Sequence, residues 1–381
     1  MVEKNVTPPA GRFRLPAEWE PHEATWIGWP HNKTDWPGKF AAIPWVYGEI
    51  VRRLAPAETV RALVESTAHE KSARRLLERV GVNPSAVEFF RVPTDRGWTR
   101  DAGPTFVRRE RRKSDVAVIR FGFNGWARYP DFRKDARVTG RLARALSLPT
   151  ISATAAGRDI VLEGGAIDVN GTGTLVTTEE CLLDQEVQVR NPGFSRADYE
   201  RVFAELLGVR NVLWLSRGIA GDDTHGHVDD LCRFVDRQTV VLCREKNSRD
   251  ANYRPLEENR DRLLGARLED GSRLVVVDLP MPSPLFFEGR RLPASYANFY
   301  IANAAVLVPT FNDPKDRLAL GILSDFIRDR PVVGIHAVDL VWGLGTIHCL
   351  TRQQPSPPLT RDLRLNGAPA RGLPKGARPR A

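Results

Sequence analysis

The 381-residue sequence predicts a mixed α/β fold, on three observations. Short β-branched runs recur along the chain: "VAVIRFGF" (116 to 123), "TLVTT" (174 to 178), "NVLWL" (211 to 215), "TVVLC" (239 to 243), "RLVVVDL" (273 to 279), "AAVLVPTF" (304 to 311) and "PVVGIHAV" (331 to 338). Amphipathic stretches lie between several of them, and such alternation of strand and helix patterns marks a mixed fold. No Pro- or Ser-rich linker interrupts the pattern, so residues 1–354 read as a single catalytic domain and 355–381 as a flexible Pro/Arg-rich tail.

Taken in order, the first 45 residues hold five of the nine tryptophans (Trp19, Trp26, Trp29, Trp36, Trp45) among prolines and histidines. Regular helix is disfavoured there. An aromatic loop folded over the core is the simpler reading, and a substrate box is its rival. Helices are expected in "KFAAIPWVYGEIVRRLA", "DARVTGRLARALS" and "SRADYERVFAELLG", where apolar residues recur at helical spacing. Composition is that of a globular protein, 42% hydrophobic and 27% charged. Of the +9 formal charge, five units sit in the tail, where six basic residues (Arg361, Arg364, Arg371, Lys375, Arg378, Arg380) face Asp362 alone. The remaining body is mildly basic and carries no nucleic-acid motif, so no nucleic-acid partner is expected. Cys181, Cys232, Cys243 and Cys349 form no C-x-x-C pair, which fits free thiols in a reducing compartment. No apolar run reaches about 18 residues and no signal-peptide pattern opens the chain. The expectation is a cytoplasmic protein without a membrane partner.

Four segments can carry chemistry. "THGHVDD" (224 to 230) begins like a metallo-hydrolase H-x-H-x-D run, yet Asp230 stands where a third histidine belongs. None of the other histidines (His22, His31, His69, His336, His348) pairs at short spacing. Read as a strand, the segment puts His225, His227 and Asp229 on one face, which suits proton transfer and cation binding. A purely structural role stays open. "WTRDAGP" (98 to 104) offers Arg100 and Asp101 at a turn, and "LEGGAIDV" (162 to 169) offers Glu163 before two glycines. "VWGLGTIHCLTRQQP" (341 to 355) places Cys349 after an apolar run, where it is either inert core or a nucleophile served by a distant histidine. His348, if the segment is a strand, points to the opposite face.

These segments, with "PAEWEPHEATWIGWP", "FGFNGWARY", "RNP" and "SYANFYIANAAVLVPTFNDPKD", resemble in order the agmatine deiminase and bacterial peptidylarginine deiminase family across residues 15 to 355. The resemblance implies a pentein β/α propeller with approximate five-fold pseudosymmetry. It assigns Cys349 as nucleophile, His227 as general acid/base, Asp101 and Asp229 as carboxylates gripping a guanidinium, and Glu163 as the acid that orients the reacting groups. It implies hydrolysis of a small cationic guanidine, agmatine first, with no metal or other cofactor. The alternatives are arginine or peptidylarginine as substrate, amidino transfer, a metal-dependent hydrolase built on His225, His227 and Asp229, and a non-catalytic guanidine binder. A homo-oligomer is left open. Asp222, Asp223 and Asp230 favour a cationic tail, Arg128 would suit a carboxylate, and Trp98 and Trp126 would sandwich the substrate or pack in the core. Asn298 is a further candidate. "FNGWARYPDFRKD" and Arg352, where glutamine is typical, depart from the agmatine deiminase pattern.

Overall fold

The computed structural model describes residues 13–109 and 116–357. Five sheets repeat one connectivity: two antiparallel strands, then a helical segment, then a strand parallel to the second. Thr105–Arg109 and Val116–Arg120 are followed by Thr150–Ser152, with Phe13–Arg14 at the edge. Ile167–Val169 and Thr174–Thr178 are followed by Asn211–Leu215. Next come Cys232–Phe234 and Thr239–Arg244 with Val275–Pro280, then Tyr300–Ile301 and Val306–Thr310 with Val332–His336. The fifth sheet draws on both ends of the chain. Thr351–Pro355 pairs antiparallel with His22–Gly28, and Thr59–Val64 and Val87–Arg91 continue it in parallel.

All seven β-branched runs contain strands; the middle ones, such as Thr239–Arg244 and Val306–Thr310, are buried on both faces, which selects continuous apolar sequence. The crossover helices are amphipathic. Ile43–Leu54 carries Pro44 in its first turn, which its fixed φ suits, and buries Ile43, Tyr47, Ile50, Val51 and Leu54 along one stripe. Val138–Ala145 and Arg196–Val202 form where expected. One core cluster joins residues from Ile27 to Leu350, so the described chain ends meet in a shared interior.

Two expectations need correction. Residues 22–28 of the aromatic segment are not a loop: Thr25, Trp26 and Ile27 suit an extended backbone, and Trp26 is fully buried in the sheet. The domain boundary at 354 falls inside a strand, since Pro355 pairs with His22 and the Ser356 amide donates to the Pro21 carbonyl. The rest of the expected tail, from 358 onward, lies outside the described residues. Among those described, no helix is long and apolar enough to cross a membrane.

Candidate active site

In every sheet the segment just before the first strand turns inward. Four of these are single helical turns, Thr99–Ala102, Gly164–Ala166, Val228–Asp230 and Ile347–Leu350, and the fifth is the turn at Tyr296 and Ala297 that leads into Asn298. Turns this short do not persist alone. They are held by each other: Thr99–Ala102 packs on Ile347–Leu350 and on Gly164–Ala166, which in turn meets Val228–Asp230. Asp101, Glu163, His227, Asp229, Asn298 and Cys349 thereby come from five separate sheets to one place.

The Cys349 thiol lies 3.7 Å from Asp229 Oδ2 and receives the Asn298 Nδ2 hydrogen at 3.1 Å. His227 Nδ1 sits 3.9 Å from both Asp101 Oδ2 and Asp229 Oδ1. Gly165 floors the gap, its amide donating to Asp101 Oδ1 at 2.9 Å. Both His227 nitrogens, Asp229 Oδ1 and Glu163 Oε2 are buried without a hydrogen-bond partner. Buried polar atoms are normally satisfied, so open ones gathered in one spot mark a place prepared for a ligand. Glu163 Oε1 is held at 3.0 Å by Arg190, the arginine of the "RNP" segment, to which the sequence alone assigns no role.

Electrostatics divides the groups. Burial lifts the Cys349 thiol well above the ordinary thiol range, and Asp229, Asp230 and Asp101 push it the same way. Burial opposes charging of His227, but Asp101, Cys181 and Asp229 outweigh it and hold the imidazole well above its usual range. Asp101 is raised by burial, with Asp229 and Glu163 adding to the shift. Asp229 is lowered, because the bond and charge of His348, with His227 and Arg233, overcome burial. The histidine therefore sits between two carboxylates that burial and their neighbours shift in opposite directions.

Around Cys349 opens a cleft of about 350 Å³, lined by Trp98, Trp126, Arg96, Tyr129 and Asp223 among others. Trp126 Nε1 donates to Asp101 Oδ2 at 2.9 Å, and Trp98 stacks on Trp36 behind the wall, so each tryptophan both packs and lines the cleft. Tyr129 donates its hydroxyl to Asp223 Oδ2. A cleft of about 530 Å³ elsewhere holds Glu18, Arg100 and Arg352 but none of the groups above.

Several expected placements differ. No strand spans 224 to 230: His225 and Gly226 take φ of 68° and 90°, and Asp222 pins the turn by accepting from the amides of Thr224, Gly226 and His227. His225 turns away to Asp184 at 2.7 Å, so His225, His227 and Asp229 form no ligand triad. Asp222 is spent on this turn, and Asp230 is buried against Asn298, so of the three acids near the motif only Asp223 lines the cleft. Arg128 is exposed and outside it; Arg96 is the cation at the mouth. Asn298 supports the nucleophile, and its Oδ1 accepts from Thr346 Oγ1 at 2.7 Å and from the His348 amide at 3.1 Å. Cys349 occupies a helical turn, not a strand. A cation could be held by Glu163, Cys181 and His227, whose ligand atoms lie within 4.8 Å of one another, or by Asp229, Asp230 and Cys349.

The family model of the Porphyromonas-type peptidyl-arginine deiminases matches residues 14–355. Agmatine deiminase from Pseudomonas aeruginosa (strain LESB58) is 35% identical over 389 residues, covering 94% of this chain and 99% of its own. That from Medicago truncatula is 36% identical over 388 residues, covering 93% and 100%. The solved agmatine deiminase of Enterococcus faecalis superposes with a TM-score of 0.83 at 28% identity, covering 92% of this chain and 99% of the other. With the match spanning all five sheets and every segment that enters the cleft, the chain belongs to the Porphyromonas-type peptidyl-arginine deiminase family.

Proposed function

We propose that the chain is a cysteine-dependent guanidine deiminase that converts agmatine and water to N-carbamoylputrescine and ammonia. The observation that carries this reading is the set of unpartnered buried atoms on His227, Asp229 and Glu163 gathered beside the Cys349 thiol. A guanidinium is planar and cationic, so carboxylates can fix it by charge-assisted hydrogen bonds. Asp101 and Asp229 take that role, and Glu163 orients His227. Binding brings positive charge beside a thiol that burial and three aspartates hold protonated, and so favours the thiolate. Cys349 sulfur attacks the guanidinium carbon, and His227, held protonated, gives its proton to the departing nitrogen so that ammonia leaves. The neutral His227 then takes a proton from water, whose oxygen displaces the sulfur and leaves the ureido product.

Agmatine is preferred over arginine by the mouth of the cleft. Arg96 is already matched by Asp35 at 2.5 Å and Asp131 at 3.1 Å, so it is not a free partner for a substrate carboxylate. Asp223, which lines the cleft and accepts from the Tyr129 hydroxyl, supplies the carboxylate for the tail ammonium. The names of the Pseudomonas and Medicago relatives point the same way. We further infer that the five units close as a β/α propeller with approximate five-fold pseudosymmetry, acting as one catalytic domain in the cytoplasm. Ammonia and ureido release from agmatine by purified protein, unaffected by chelator, tests the activity. Cys349→Ala is expected to be inactive; full activity in that variant would sink the mechanism.

A further inference from the structure

His348 is used by no step above, yet it is fully enclosed between two carboxylates. Its Nδ1 lies 2.6 Å from Asp229 Oδ2 and its Nε2 lies 2.8 Å from Glu18 Oε2. Each ring nitrogen is thus within hydrogen-bond distance of a carboxylate, so the ring is held from both sides. Glu18 is well supplied with donors: Arg233 at 2.8 Å, the Ile301 amide at 2.8 Å and Arg100 at 3.1 Å. Arg100 also donates to the His348 carbonyl at 3.1 Å and precedes Asp101 in the chain. Glu18, Asp229, Arg100 and Arg233 are charged groups packed around the ring, with Asp168 paired to Arg233 behind them. A buried ionic network of this kind is costly, and apolar replacements are often as stable, so stability alone does not account for it.

We propose that His348 is a positioning residue for the guanidinium clamp: bonded between Glu18 and Asp229, it fixes Asp229 Oδ2 against the Cys349 thiol and leaves Asp229 Oδ1, on the His227 side, open to the substrate. The unpartnered state of Asp229 Oδ1, against the 2.6 Å bond on its neighbour, is the asymmetry this requires. The helical turn makes the arrangement available, because successive residues there project about 100° apart. Cys349 faces the cleft while His348 faces the interior.

The proposal rests on the guanidine reading of the cleft, and the test separates the two. Chloroacetamidine is a planar cation and chloroacetamide its neutral analogue; each alkylates a thiolate, the sulfur displacing chloride and the thiol proton passing to solvent. Alkylation of Cys349 is followed by intact mass in the full chain, in His348→Gln and in Glu18→Gln, with the thermal transition of each variant recorded. The unsubstituted chain is expected to react faster with the amidine. In both variants that preference falls about ten- to hundredfold, as loss of a charge-assisted bond to the clamp implies, while the chloroacetamide rate changes little. If the unsubstituted chain shows no preference for the cation, the guanidine reading falls and the proposal with it. If the preference is present but survives unchanged in a variant that keeps its thermal transition, or if both rates fall in parallel, His348 is structural only and the proposal alone is overturned.

Discussion

At Gly165 the site has no room for a side chain. A Cβ there would lie 2.5 Å from His227 Nδ1 and 3.1 Å from both Asp101 Oδ1 and Asp229 Oδ1, so the imidazole would have to move. Displacement of a reacting group by about 1 Å typically costs on the order of a hundredfold in rate. Gly165→Ala should therefore lose about a hundredfold in ammonia release from agmatine, with destabilisation of about 1–3 kcal/mol from the overpacking. Comparing rate with thermal midpoint checks this; a variant with full activity would mean that the cleft is not centred here. Cys349 gives a second expectation. Burial, Asp229, Asp230 and Asp101 raise the thiol, and only the thiolate reacts. Its alkylation by neutral chloroacetamide should still be rising with pH above about 8.5, where an ordinary thiol is half ionised. A plateau at or below that pH, measured by intact mass, would contradict the electrostatic account.

At the scale of elements, strands were legible and the turns bearing the chemistry were not. Val306–Thr310 and Thr239–Arg244 stand out as β-branched runs because burial on two faces demands such residues. A turn such as Ile347–Leu350 has four residues and no period to read, so the sequence pattern assigns no element there or at 224 to 230. The reacting residue types were recognisable from their motifs. Their supports were not: Glu18 meets His348 across 330 positions of chain, and only the fold brings them together. Asp222 looked like a charge for the substrate tail, yet it is the residue that shapes the turn before His227. Its two oxygens accept from the Thr224 amide at 2.7 Å, the Gly226 amide at 2.8 Å and the His227 amide at 3.2 Å. Asp222→Ala should lower global stability by about 1–3 kcal/mol through the unsatisfied amides and depress turnover at least tenfold through the loosened histidine. Asp222→Asn, which keeps one acceptor, should fall between. Urea midpoints with steady-state rates test both, and a rate loss without any stability loss would argue that Asp222 acts on substrate instead.

At the scale of the molecule, the fifth sheet exists only because the chain returns to its start. Thr351–Pro355 lies against His22–Gly28 and follows Cys349 directly, so the strand that completes the sheet also anchors the nucleophile. Its side chains reach across the sheet: Gln354 Oε1 accepts from Trp26 Nε1 at 2.9 Å and from Arg61 at 2.7 Å, and Arg352 donates from Nε to the Pro104 carbonyl at 2.8 Å. Ending the chain after Leu350 would leave His22–Gly28 with an open edge, two buried donors unsatisfied and the core exposed. That truncation should fail to give a cooperative thermal transition. A chain ended after residue 357 keeps every one of these bonds, and its thermal midpoint and agmatine turnover should match those of the full chain. A cooperative, active protein ending at Leu350 would show that closure of the fifth sheet is dispensable and that Cys349 is held by its contacts with Asn298 and Asp229 alone.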